Sequence, residues 1–395
     1  MDKVQTRAFF RDLKDRASNF MGREKLRYEK NERVFTTPEA TAWLGDLDRR
    51  TVRSYASKVG ISPDTTRYTL SELYRIRDEM RRSDRPLVPE RFKRNGLRCQ
   101  VIAVQNQKGG VGKSTYATSS AAGLATEYPQ EYRIGIIDLD PQHNASSYWV
   151  ENLHLDEHYS AGDLMVRSYE LEEGDDEKEF ISSCFLPTTI PNLRILPASQ
   201  THRSHEHLFH KQQLEGVSDS PYLRLKNIIA MVEDEFDIIL IDTPPASGFV
   251  TINAYAAATS VVFPVQLNKV DIDATCSYFN FIPDLWDMLE TLGHTGFDFL
   301  KMVRTNVDEN SDSEIEIERK IASEFHSFVF PSSMKSSEAI KVCNNHRSTV
   351  FELSKSQYTK SKKSFERSAQ NVKHIVSDLH FEIGNVWNSQ KVGSE

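Results

Sequence analysis

Eight residues, Lys108-Gly-Gly-Val-Gly-Lys-Ser-Thr115, constrain this chain more than any other feature. They follow an apolar run, Gln100-Val-Ile-Ala-Val-Gln105, and precede a helix-compatible stretch from Lys113 to Thr126. Strand, glycine loop and helix in that order form the setting in which backbone amides converge on phosphate oxygens. Glycines let the N–H groups approach, and the helix N-terminus adds its positive dipole. The pattern predicts that Lys108, Gly109, Gly110, Val111, Gly112 and Thr115 cradle the phosphates of a nucleotide. Lys113 then reaches the β- and γ-phosphates, and the Ser114 hydroxyl sits on Mg²⁺.

A chain of 395 residues holds two or three domains. No apolar run approaches membrane-spanning length, and Met1-Asp-Lys-Val-Gln-Thr-Arg7 lacks the apolar core of a signal peptide. The cysteines, Cys99, Cys184, Cys276 and Cys343, have no C-x-x-C spacing. A disulfide framework and a zinc or iron–sulfur site are therefore not expected, and a reducing cytoplasm is. The net charge of −8 conceals a split. Residues 1–100 carry 24 Lys/Arg against 15 Asp/Glu, residues 101–330 carry 15 against 36, and residues 331–395 carry 10 against 6. A basic head and tail around an acidic middle point to nucleic-acid contact at the two ends.

Phe9, Phe10, Leu13, Ala17, Phe20 and Met21 recur at helical spacing, so residues 1–35 are expected to hold one amphipathic helix, its stripe covered by its own chain or by a second copy. Thr36-Thr-Pro-Glu39 has the signature of a capped helix start. The helix it opens ends near Gly45, and a second, Arg49 to Lys58, ends before Gly60. Two short helices about a tight turn, the second rich in arginine, resemble a helix-turn-helix. Ile61 to Thr69 fits a small wing and Ser71 to Arg82 a further helix, so residues 36–98 are expected to form a largely α-helical winged head and linker. Arg49, Arg50, Arg53 and Arg67 are its candidate DNA contacts. From residue 99 to 395, short β-rich runs alternate with helices: Arg133–Asp138, Leu193–Pro197, Phe236–Asp242, Ser260–Pro264, Phe299–Arg304 and Ser327–Pro331. That alternation predicts an α/β fold with a doubly wound, mainly parallel sheet. The acidic stretch Glu170–Glu179 reads as an exposed loop.

Phe236-Asp-Ile-Ile-Leu-Ile-Asp242 is an apolar strand that delivers a carboxylate to the crevice of such a sheet, a Walker B pattern, with Asp242 a candidate for Mg²⁺. Ile134-Gly-Ile-Ile-Asp-Leu-Asp140 offers two carboxylates that share one side if the strand continues. Asp138 is the candidate for supporting Mg²⁺ or the switch, and Asp140 for orienting or polarising the attacking water. Asp242-Thr-Pro-Pro-Ala-Ser-Gly248 is placed to sense a γ-phosphate. Asn306 and Pro331 are candidate adenine contacts. His202, His205, His207 and His210 read as a solvated helix face rather than a zinc site. In the tail, Lys341, Arg347, Lys362 and Lys363 are candidate contacts to DNA phosphates.

One departure carries a family resemblance. Gln107 stands where the plain G-x-x-x-x-G-K-[ST] loop has its first glycine, and Lys108 is a second lysine inside the loop. This deviant Walker A motif, with the segments at Asp138 and Asp242, resembles the ParA/MinD family of P-loop ATPases over residues 100–375, and the head resembles that of long, plasmid-type ParA proteins. The resemblance implies an Mg²⁺-dependent ATPase that cycles between ATP and ADP. It implies that Lys108 crosses to the nucleotide of the partner in an ATP-closed homodimer. It implies non-specific binding to double-stranded DNA on the nucleoid, as dimers or filaments, release stimulated by a ParB-type partner, and repression of its own operon through the head. Arg347 is singled out because the matching family stretch supplies a DNA-contacting arginine. Competing expectations are a transcriptional regulator that uses nucleotide purely as a ligand and a MinD-like positioning ATPase. The tail from Ile383 to Gln390 lacks the cations of a membrane-binding helix.

Overall fold

The computed structural model describes residues 3–25, 30, 32–84, 86–150, 158–199, 208–209, 211–212, 220–246 and 248–392. His202, His205, His207 and His210 lie outside the described residues.

The chain opens with α1, Lys3–Lys25. Its apolar stripe exists, but Phe9, Phe10, Leu13 and Phe20 are all exposed, so none of the described residues covers it. Strand β1, Val34–Thr36, leads into α2, Thr37–Trp43. Glu39 Oε2 accepts the Thr36 N–H at 2.7 Å, which makes the expected helix start a capping box. Gly45 at φ +101° and Asp46 at φ +57° turn the chain toward α3, Arg49–Lys58, where Asp48 Oδ1 accepts the Arg50 and Thr51 N–H groups. Strand β2, Arg67–Thr69, pairs antiparallel with β1 and runs into α4, Leu70–Arg81. The wing is thus a two-stranded ribbon closed by the residues just before the head, which makes the head helical around a small sheet.

The remaining strands are β3 Gln100–Val104, β4 Ile134–Asp138, β5 Leu186–Pro187, β6 Leu193–Leu196, β7 Ile238–Asp242, β8 Ser260–Gln266, β9 Leu300–Val307 and β10 Val329–Lys335. They form one sheet in the order β10-β9-β8-β3-β7-β4-β6-β5, parallel throughout except for β5 against β6. Between and after them run α5 Lys113–Thr126, α6 Ala161–Val166, α7 Glu177–Ser183, α8 Arg224–Val232, α9 Phe249–Ala257, α10 Lys269–Phe279, α11 Ile282–Thr291, α12 Asp312–Phe325, α13 Glu338–Asn345 and α14 Lys362–Val392. Strand periodicity decides which side chains meet which layer. Ile134, Ile136, Ile238 and Leu240 join the core under α5 and α14, whereas Ile137, Ile239 and Ile241 join the opposite core under α8 and α9. This is the doubly wound, mainly parallel arrangement expected.

The head shares the first of those cores: Phe35, Leu44, Val52, Tyr68 and Leu73 are buried in one cluster with Tyr116, Ala121, Val376 and Trp387. Polar contacts reinforce the junction. Trp43 Nε1 donates to Thr126 O at 3.0 Å and Tyr74 OH to Ala125 O at 2.8 Å, both at the C-terminal end of α5. Buried Glu131 accepts from Arg77 at 3.1 Å, Arg81 at 2.8 Å and Arg91 at 3.0 Å, joining α4 and the linker to the sheet-bearing region. Gly123 is required where α5 crosses α14: a Cβ there would lie 2.7 Å from Val376 and 2.9 Å from Phe351. All four cysteines are free, and no described helix is long and apolar enough to cross a membrane.

Candidate nucleotide site

The site stands on the C-terminal ends of three adjacent strands. Val104 pairs with Asp242 and Asp138 pairs with Asp242, so the ends of β3, β7 and β4 lie level. A crevice outside the carboxyl ends of parallel strands is where an open α/β sheet binds its ligand. Beyond Val104 the glycine loop turns with Gly110 at φ +80° and Gly112 at φ +86°. Gly112 is the left-handed N-cap of α5, a conformation that other residues adopt only with strain, and it leaves the helix's first N–H groups without a side-chain cap. Asn106 Oδ1 accepts the Lys108 N–H at 3.0 Å, and Gln266 Nε2 donates to Gly110 O at 2.8 Å, so the loop is braced from both flanks.

Lys113 is buried and folds back to donate to Lys108 O at 3.2 Å. Burial pulls its pKa down, and the charges of Asp242 and Asp140 oppose that shift. Asp242 is fully buried, and among the described residues neither of its carboxylate oxygens has a partner in hydrogen-bond geometry, although the Ser114 hydroxyl lies beside it. Burial pushes its pKa well up, and the facing Asp138 adds to the effect, while Ser114 and Lys113 act the other way. A buried carboxylate with two orphan oxygens, beside a serine hydroxyl and two further aspartates, is the donor set that a hard divalent cation fits.

Asp138 differs. Its Oδ2 accepts the Ser146 N–H and hydroxyl, both at 2.7 Å, and its Oδ1 accepts the Asp140 N–H at 3.0 Å. Both oxygens are engaged, so Asp138 acts here as the anchor of the segment after β4, with Asp242 left open for a cation. The strand does not continue through Leu139, as the shared-side expectation required. β4 ends at Asp138, and Asp140 Oδ1 instead accepts the Gln142 N–H at 2.9 Å in a turn. Asp140 nevertheless stays near the site, within electrostatic reach of Lys113.

Lys108 is not extended into solvent. Its Nζ lies 3.1 Å from Asp271 Oδ1 near the start of α10, and Asp271 is itself held by Asn268 at 2.8 Å. In a single copy the second loop lysine is therefore tied to its own chain. With Lys108 partly exposed, the tie is worth about 0–1 kcal/mol and is easily exchanged.

A cavity of about 220 Å³ adjoins the glycine loop, lined by Gly110, Gly112, Thr115, Thr305, Asn306, Lys335, Ser336, Ser337, Lys341 and Asn344 among others. Asn306, at φ +55°, is one of the residues that line this cavity. Pro331 is not brought there: it sits within β10, upstream of the lining residues, and its carbonyl accepts from Arg304 at 2.6 Å. Ser336, Ser337 and Asn344 take its place, and sequence reading passed over all three. Their signal was faint, although a residue that follows a parallel strand belongs to the crevice by position alone. In the switch segment after β7, the buried Thr243 hydroxyl donates to Val104 O at 2.8 Å, and residue 247 lies outside the described residues.

Comparison with known proteins agrees with this geometry. A family model described as an AAA domain matches residues 99–291. The chromosome partitioning protein ParA of Myxococcus xanthus is 35% identical over 168 residues, covering 42% of this chain and 52% of that protein. Protein SopA of Escherichia coli K12 is 27% identical over 295 residues, 72% of this chain and 69% of SopA. The chain belongs to the ParA family of partition ATPases. Among solved structures, a partition protein superposes with a TM-score of 0.65 over 95% of this chain and 99% of its own at 19% identity, which extends the likeness in fold to the head.

The basic candidates of this ParA-family chain lie outside the nucleotide crevice. Arg49, Arg50 and Arg53 on α3 and Arg67 on β2 are exposed. Arg347, at φ +50° just after α13, is exposed, as are Lys362 and Lys363 in the first turn of α14. No acidic residue shares that first turn, so two cations sit on the positive end of a 31-residue helix. Lys335, Lys355, Lys360 and Lys373 are in ion pairs with Glu309, Glu366, Glu338 and Glu127, whereas Arg347, Lys362 and Lys363 form no ion pair among the described residues. Lys341 is exposed but also borders the cavity.

Proposed function

We propose that this chain is an ATP-gated DNA-binding partition motor. The observation that carries the reading is Asp242, a buried carboxylate with both oxygens unpartnered, level with a glycine loop and flanked by Ser114 and Lys113. ATP occupies the crevice with its phosphates on the amides of residues 108–115. Ser114 and Asp242 would hold Mg²⁺, which would supply neutralisation of the triphosphate's charge. Lys113 adds a fixed positive charge. Asp140 orients the attacking water, and Asp138 holds the adjoining segment in register.

Lys108 exchanges Asp271 for the phosphates of a second copy, so triphosphate and dimerisation become one event. The exposed stripe of α1 supports pairing as well, since an apolar helix face needs cover. The dimer, singly or in filaments, grips duplex DNA of any sequence through Arg347, Lys362, Lys363 and Lys341. Two lysines at a helix N-terminus destabilise it unless an anion is close, and a phosphate backbone supplies one. A ParB-type partner stimulates hydrolysis and releases the dimer from the nucleoid. The head, with Arg49, Arg50, Arg53 and Arg67 outward, reads an operator.

The test is anisotropy of a random-sequence duplex titrated with ATP, ADP or no nucleotide across a salt series. ATP should raise affinity, and Arg347→Ala should lower it while reducing the log–log salt slope by about 1. Equal affinity in all nucleotide states contradicts the motor and leaves the ligand-gated regulator, which requires operator binding alone.

A further inference from the structure

A second polar centre lies between the nucleotide crevice and the surface that carries Arg347, and the catalytic reading does not use it. Glu352 is buried at 4% exposure yet accepts four donors. Trp149 Nε1 donates to its Oε1 at 2.7 Å, Thr189 Oγ1 to the same oxygen at 2.9 Å, and the Thr349 N–H to Oε2 at 2.8 Å. Lys30 Nζ completes the set at 2.6 Å, sits 5.1 Å from the centre of the Trp149 ring and donates to Tyr148 O. A buried carboxylate with this many donors fixes each of them in place.

The donors come from segments with separate duties. Trp149 follows the short turn Ser146–Tyr148, and Ser146 is the residue that Asp138 grips through two hydrogen bonds. Tyr148 OH donates to Asn344 Oδ1 at 2.8 Å, and Asn344 both borders the cavity and accepts the Arg347 N–H through its carbonyl at 2.9 Å. Thr349 is two residues beyond Arg347. Lys30 belongs to the stretch between α1 and the head, where Arg33 also donates to Phe351 O at 3.0 Å. Arg347 is therefore held on both sides by groups that answer to the segment after β4: Asn344 through Tyr148, and Thr349 through Glu352 and Trp149.

We propose that Glu352 is a positioning residue: by holding Trp149 and the Thr349 turn on one carboxylate, it makes the segment gripped by Asp138 and the loop presenting Arg347 move as one body. Occupancy of the crevice, which resets the Asp138–Ser146 grip, then sets the aim of Arg347, and the same node carries the stretch that leads from α1. The inference rests on the DNA-gripping role given to Arg347 above. A merely structural Glu352 predicts something else: its loss lowers stability, nucleotide affinity and DNA affinity together in every state.

The experiment measures random-duplex affinity with ATP and with ADP, affinity for a fluorescent ATP analogue, and the urea midpoint. It compares the full chain with Glu352→Gln, Trp149→Phe and Arg347→Ala. Glu352→Gln puts an amide N–H₂ among donors, and Trp149→Phe removes one donor while keeping an aromatic ring. Both should keep the ATP affinity of the parent while the ATP-over-ADP preference for DNA falls by about fivefold or more. Arg347→Ala should weaken DNA binding more with ATP than with ADP, and so lower that preference as well, while leaving ATP affinity and the urea midpoint unchanged. A preserved preference in Trp149→Phe, folded as judged by its urea midpoint, overturns the proposal even if Glu352→Gln does not fold. If the parent itself shows no preference, the DNA-gating reading fails first and the positioning role falls with it.

Discussion

Glu131 offers the sharpest energetic test of how the head is fastened. Its carboxylate receives Arg77, Arg81 and Arg91, but the three differ in what they lose if it goes. Arg81 keeps Asp78 and the Pro129 carbonyl, and Arg91, at 53% exposure, keeps Asp78 and solvent. Arg77 is only 2% exposed, stacks 3.4 Å from the Trp43 ring centre, and has no other carboxylate among the described residues. Burial already disfavours its charge, with Glu131 the main compensation. Glu131→Gln thus leaves one buried guanidinium without a counter-charge. Removing one partner of a buried pair costs about 3–5 kcal/mol, and the retained bond from Arg77 to Trp43 O at 2.9 Å argues for the lower end. The urea midpoint should drop by roughly 1 M or more at slopes of a few kcal/mol/M. Arg77→Met combined with Glu131→Gln should recover about 0.5–3 kcal/mol of that loss, because no orphan charge remains. Far-ultraviolet circular dichroism in urea reads the midpoint, and limited proteolysis of the 83–98 linker reads release of the head. A Glu131→Gln midpoint equal to the parent's, or a double variant no better than the single one, would refute this account of the junction.

Further outcomes follow from the site and its packing. Asp242→Asn removes a buried, unpartnered charge, so the nucleotide-free protein should gain about 1–3 kcal/mol while losing the rise in thermal midpoint that Mg²⁺ adds on top of ADP; a less stable variant in calorimetry contradicts the reading of Asp242. Asp271→Ala should shift ATP-dependent dimerisation, measured by sedimentation, toward lower protein concentration by a factor of about 2–5, consistent with a partly exposed pair worth up to about 1 kcal/mol; an unchanged midpoint would show that the tie to Lys108 is not competed. Gly123→Val should destabilise by about 1–3 kcal/mol, since Val376 and Phe351 are already closer than any Cβ tolerates, and an unaltered urea midpoint would mean that α14 moves freely over α5.

What the residues disclosed unaided follows from the range of the forces involved. The glycine loop, the β4 and β7 carboxylates and the capped start of α2 depend on neighbours a few positions away, and all formed where the pattern put them. β10 was read too early because Pro331 looked like a terminator. As the sheet's edge it pairs only with β9, so a missing N–H costs nothing and the strand runs on to Lys335. The condition under which Asp138 and Asp140 would share one side, a strand running through Leu139, is not met, because the turn begins one residue sooner than the apolar run suggests. The Glu131 cluster, the Glu352 centre and the Ser336–Ser337 wall were invisible because their members lie tens to hundreds of positions apart. Arginines and lysines that look solvated in a linear text become interior fittings only after the chain has closed on itself.

The two donors that the head extends to the far end of α5 have a consequence for the family as a whole. At 1.5 Å per residue, its 14 residues make a strut about 21 Å long. Its first turn follows the glycine loop, and its final carbonyls are stoppered by an indole and a phenol, Trp43 and Tyr74. Ala125 O keeps a donor outside the head, Asn192 Nδ2 at 3.1 Å, so relatives that dispense with the N-terminal module must find another stopper chiefly for the Thr126 oxygen or leave it to water. The presence of an aromatic donor at that spot should therefore track the presence of the module from one lineage to the next.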